Sequence, residues 1–148
     1  MAAPVLVGTG TTASGAAAGS IAWPSGHASG DLGILFVETD SGDATLSISG
    51  WSHISGSPLT VADASLGVGQ DSKFNVLIKT AASSSEAAAT WSDPGDHWVA
   101  GMIVVRGVDT SSPFAFGPTW QEYTNSSTSV TLPSFTSSGA DNLVVLGV

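Results

Sequence analysis

The chain has 148 residues, which is one domain spanning 1–148 rather than two, and it can bury a core without disulfides or a structural metal. It has no cysteine, which excludes disulfide frameworks, cysteine-ligated zinc, iron–sulfur clusters and thiol nucleophiles. Three Lys plus Arg against twelve Asp plus Glu, net charge −9, leave no basic footprint for nucleic acid or an anionic membrane surface.

The sequence begins Met1-Ala-Ala-Pro-Val, without the cationic start and apolar stretch of a secretory signal. Its apolar runs are short and separated by turn formers. Strands are expected at Pro4–Gly8, Asp31–Thr39, Ala44–Ser49, Lys73–Thr80, Ala87–Trp91, His97–Val108, Ser127–Leu132 and Asn142–Val148. The breakers between them include Pro24-Ser25-Gly26, Asp40-Ser41-Gly42-Asp43, Ser55-Gly56-Ser57-Pro58, Asp93-Pro94-Gly95-Asp96 and Ser137-Ser138-Gly139. The segment Ala81–Ala89 is too short and too rich in serine for a helix and reads as loop passing into strand.

Many short strands, Gly-rich turns and no helix predict an all-β antiparallel sandwich, jelly-roll-like. Lys73–Thr80 alternates Phe74, Val76 and Ile78 with Asn75, Leu77 and Lys79, the pattern of a half-buried strand. Leu32–Val37 is apolar on both sides, with Leu32, Ile34 and Phe36 opposed by Leu35 and Val37. So is 97–106, where Val99, Ile103 and Val105 oppose Trp98, Met102 and Val104. Either a partner subunit or a long loop of the same chain must cover the second side. Ser29-Gly30-Asp31-Leu32-Gly33-Ile34-Leu35 is echoed around Ser138–Leu146. The apolar run Asn142–Val148 stops without a polar tail, as expected of the front part of a longer chain whose sandwich is incomplete at Val148.

His27, His53 and His97 lie far apart, without metal-ligand spacing or a nucleophile elbow, and read as structural or surface residues. Glu38, Asp40 and Asp43 around Gly42 are calcium candidates by their oxygen ligands, although Asp and Gly are also the ordinary turn formers. No bound metal and no cofactor is expected. Glu38, Glu86 and Glu122, the only glutamates, show no paired-carboxylate setting for glycoside hydrolysis. Of the five tryptophans, Trp23, Trp51 and Trp91 read as core or edge plugs. Trp98 and Trp120 are the candidates for exposure, and with Tyr123 they form the candidate set for contact with a glycan or a partner.

Trp23-Pro24-Ser25-Gly26-His27, then Gly30-Asp31-Leu32, Gly50-Trp51, Lys79-Thr80-Ala81, Trp91 and Val105-Arg106-Gly107-Val108 form a pattern across most of the chain. It resembles the β-sandwich components of tailed-bacteriophage virions: tail-fibre, minor tail and head-decoration proteins. The resemblance implies a non-enzymatic structural protein made in the host cytoplasm and located in the virion. Its partners would be copies of itself, in a trimer or higher ring, other virion proteins and a host-surface glycan, with neither nucleic acid nor membrane among them. The alternative is a carbohydrate-binding module of a larger secreted enzyme, which would use Trp98 and Trp120.

Overall fold

A computed structural model describes residues 3–40, 45–61, 72–95 and 97–114, and in them the protein is all-β with no helix. The strands are β1 (Val5–Thr9), β2 (Ala13–Gly15), β3 (Gly19–Ile21), β4 (Leu32–Thr39), β5 (Ser52–His53), β6 (Leu59–Val61), β7 (Ser72–Thr80), β8 (Ala89–Trp91) and β9 (Trp98–Arg106). Among the described residues the larger sheet runs β1-β9-β4-β7-β5. β2 continues the pairing on β9 and β6 that on β7, while β3 and β8 form a second, two-stranded sheet. Every pairing is antiparallel. The two sheets pack as a sandwich. The jelly-roll strand order expected from the sequence involves the segments 127–132 and 142–148, which lie outside the described residues.

β4 is the centre. It pairs over its whole length with β7 on one side and β9 on the other, so Leu35 stands between Leu77 and Met102, and Val37 between Asn75 and Ala100. Alternation then sends Leu35, Val37, Leu77, Ala100, Met102 and Val104 to one face. There they meet Ile21, Ala89 and Trp91 of the small sheet, together with Trp23, Leu46, Ile48 and Trp51 from the connecting segments. This is the main core.

The large rings in it lie against glycines. A Cβ on Gly33 would stand 2.6 Å from Trp23 Cη2, and one on Gly15 2.8 Å from Trp98 Cζ2. On Gly19 it would overlap Trp91 Cε2 and Cζ2 outright. Trp91 and Trp98 meet edge to face at 5.0 Å, and Trp23 and Trp51 are tilted at 5.5 Å.

Two expectations need correction. Lys73–Thr80 is not half-buried: Asn75 and Leu77 are buried in the main core, and Val76 is buried on the opposite face. Asn75 can occupy the core because its Nδ2 donates to Val37 O at 3.4 Å and its Oδ1 accepts the Leu46 N–H at 3.3 Å. The same bond explains why 45–49 is not a strand. Leu46 and Ile48 point inward as alternation requires, but the backbone there is tied to a side chain instead of a ladder. β2, β3, β5 and β6 have only two or three residues each, too short to leave a periodic signal.

Asn75→Ala should therefore strand a buried Leu46 N–H and cost about 2 kcal/mol. Urea unfolding with an unchanged slope and a lowered midpoint is the expected result.

Candidate functional site

The second face of the larger sheet is also apolar. Leu32, Ile34, Val76 and Val105 are buried there with Ile54, and Phe36, Phe74, Ile78, Ile103 and Val108 pack around them half-buried. Phe36 and Phe74 stack at 6.0 Å. At the border formed by β1, β2 and β9 the covering gives out: Leu6 and Val99 remain 53% and 54% exposed. Register places both on this face, Leu6 beside Val105 and Val99 between Ser14 and Glu38. Val5, 53% exposed, looks out from the opposite side of the same edge. No Asp, Glu, Lys or Arg precedes Asp31, so β1 and β2 bring no charged side chain to this border, and the charged neighbour of Val99 is Glu38 of β4.

Polar groups gather around the 24–31 loop. Gly26 and Gly30, at φ of 86° and 88°, give it a backbone that other residues rarely adopt. Arg106 donates from Nε and Nη2 to the two Asp31 carboxylate oxygens at 2.8 and 2.7 Å, and from Nη2 to Gly26 O at 3.0 Å. Asp31 Oδ2 also accepts the Ala28 N–H at 2.8 Å. Across the gap, Glu86 accepts Lys79 Nζ at 2.5 Å and the Ala82 and Ser83 N–H groups at 2.7 and 3.2 Å.

His27 joins the two groups. Its Nδ1 lies 2.8 Å from Pro24 O, its Nε2 lies 3.3 Å from Glu86 N, and its ring packs 5.2 Å from that of Trp23. Sequence reasoning missed this cluster because its members are scattered from 27 to 106. The one local clue was the pair of glycines around His27.

The hydrogen bonds from Arg106 hold the Asp31 carboxyl below its ordinary 3.8 despite burial, with help from the Ala28 N–H and the charges of Arg106 and His27. Lys79, then the Ala82 N–H, hold Glu86 below 4.5. A carboxylate whose folded value is depressed adds stability above its unfolded value, and that stability goes as the pH falls through the folded one. These two groups should leave the melting temperature level from neutrality to about pH 5 and lower it below about pH 4. A thermal-melt series in pH, repeated on Glu86→Gln with a shallower acid limb, checks this.

His53 and Ser57 approach a nucleophile–base pair in distance, with Nδ1 to Oγ at 2.9 Å. Their hydrogen bonds are structural. His53 Nε2 donates to Leu46 O, Ser57 Oγ accepts the Val76 N–H at 2.8 Å, and the Ser57 N–H is spent on Ile54 O. No donor is left at Ser57 to meet an oxyanion.

The expected contact residues fare as follows. Trp98 is buried, a correction to its expected exposure: it starts β9 on the side shared with Met102 and Val104, and its Nε1 donates to Ala17 O at 2.6 Å. It presents no face to a sugar, and the exposed residue at that point is Val99. Trp120 and Tyr123 lie outside the described residues. Glu38 stands on β4 between Phe74 and Val99, and the Asp40 N–H donates to His97 O. Asp43 lies outside the described residues. Among the described residues no three His, Cys, Asp or Glu side chains come together to hold a metal ion. Compared with known proteins, the chain matches no protein family, no curated protein and no solved structure.

Proposed function

We propose that this β-sandwich is a non-enzymatic structural subunit that acts by packing against other chains, as in the tailed-phage virion components its sequence resembles. The observation that carries the reading is the border of the second apolar face, where Leu6 and Val99 stay more than half exposed. Exposed apolar side chains at the border of an apolar sheet face suit contact with another protein. Symmetric repetition multiplies a modest patch into a stable particle. In this reading the protein is made in the host cytoplasm and resides in the virion.

The carbohydrate-binding alternative loses Trp98, whose ring is enclosed. Sedimentation velocity of the full chain at micromolar concentration tests the proposal. Species heavier than the 14.7 kDa chain are expected, reverting to that mass in Leu6→Lys/Val99→Lys, where the charge at 99 faces the opposite charge of Glu38. Substitutions at such exposed sites should shift stability by no more than about 0.5 kcal/mol, so loss of the oligomer would not reflect unfolding. A wild-type chain that stays single at every concentration would overturn the reading.

A further inference from the structure

We propose that His27 is an acid-sensitive latch: as a neutral ring it ties the Glu86 N–H of the 81–88 loop to the 24–31 loop, and on protonation it gives up that bond. The hydrogen bonds fix the tautomer. Pro24 O can only accept, so Nδ1 carries the proton and donates at 2.8 Å. Glu86 N–H can only donate, so Nε2 is the bare nitrogen and accepts at 3.3 Å. A second proton has only Nε2 to go to, and there it would point at another N–H. The imidazolium cannot keep the Glu86 bond, and imidazole is the side chain that changes charge between about pH 5 and 8.

The charged groups around His27 come from every neighbouring segment. Asp31 leads into β4 and Glu86 lies in the 81–88 loop. Arg106 of β9 is held by Asp31, and Lys79 of β7 by Glu86. Both carboxylates are held below their ordinary values, so between pH 7.5 and 5 they stay ionised. Loss of the His27 bond frees the Glu86 N–H, while the loop stays held by Gly30 N–H to Ala81 O and Ala81 N–H to Asp31 O, each 2.8 Å, by the Glu86 carboxylate on Lys79, and by the pairing of Ala89 with Ile21.

Amide exchange of the full chain, read by NMR at pH 7.5 and pH 5, is the test. The protection factor of the Glu86 amide, corrected for intrinsic exchange, should fall by about tenfold across His27 protonation, while that of Ala81 holds. Nitrogen shifts should show Nδ1 protonated and Nε2 bare in the neutral ring. In His27→Ala the Glu86 amide should be equally unprotected at both pH values. Unchanged Glu86 protection in the wild type, a proton on Nε2 of the neutral ring, or the same pH-dependent fall in His27→Ala would each overturn the latch. None of these outcomes depends on whether the chain assembles.

Discussion

Asp31→Ala is expected to destabilise the fold by about 3 kcal/mol, a fall in melting temperature of about 6–12 °C for a chain of this size. The Asp31 carboxylate is 2% exposed and meets three donors: Arg106 Nε, Arg106 Nη2 and the Ala28 N–H. Removing it breaks a two-pronged ion pair and leaves Ala28 without an acceptor. Truncating one partner of a fully buried pair costs about 3–5 kcal/mol, because an uncompensated charge stays behind. Here the remaining guanidinium is 48% exposed and water can take it up, which puts the loss at the lower end. Asp31→Asn keeps the shape and an oxygen for Ala28 but gives up the charge, so it should fall between wild type and Asp31→Ala. Differential scanning calorimetry at pH 7 reads both. Equal melting of wild type and Asp31→Ala would mean that the 24–31 loop holds its shape without this pair.

Gly19→Ala is the second large effect, also about 3 kcal/mol, although it adds a single methyl group. The methyl would overlap the Trp91 ring at Cε2 and Cζ2. Trp91 cannot swing away, because Trp98 meets it edge to face at 5.0 Å and both rings lie in the main core. Relief must come from the backbone of β3, which the pairing of Gly19 with Trp91 and of Ile21 with Ala89 holds in register. Overfilling a close-packed core usually costs about 1–3 kcal/mol, and the upper end applies where neither neighbour can move. Gly101→Ala is the control, since its Cβ would meet only Thr12 Cγ2 at 3.4 Å. Gly19→Ala and Gly101→Ala melting alike would show that the small sheet yields at little cost.

The long strands were legible in the sequence because alternation and turn formers speak with one voice there: β4, β7 and β9 lie within two residues of their expected bounds. The two-sided apolarity of 32–37 and 98–105 was legible for the same reason, and it is what places these strands at the centre of the sheet. What failed was reading polarity as exposure. Asn75 looked like a solvent-side residue, yet it lies in the core because two backbone groups need it. Trp98 looked like a surface ring, yet Gly15 leaves room for it and Ala17 O takes its N–H. Neither partner is near in sequence. The His27 cluster was hidden in the same way, since contacts between two loops have no period. Of the expected contact set, the structure reaches only Trp98, and the surface it offers in place of that ring is aliphatic.

The order of strands across the larger sheet has a consequence for how the chain comes into being. β4 has no neighbour until β7 is made, and its other edge waits for β9. β1 waits longest, since Val5 pairs with Arg106, about a hundred residues further on. During synthesis the greasiest segment is therefore complete well before either of its flanks. Closure of the sheet is a late, slow event governed by the arrival of β9, and until then the nascent chain is most open to wrong pairings.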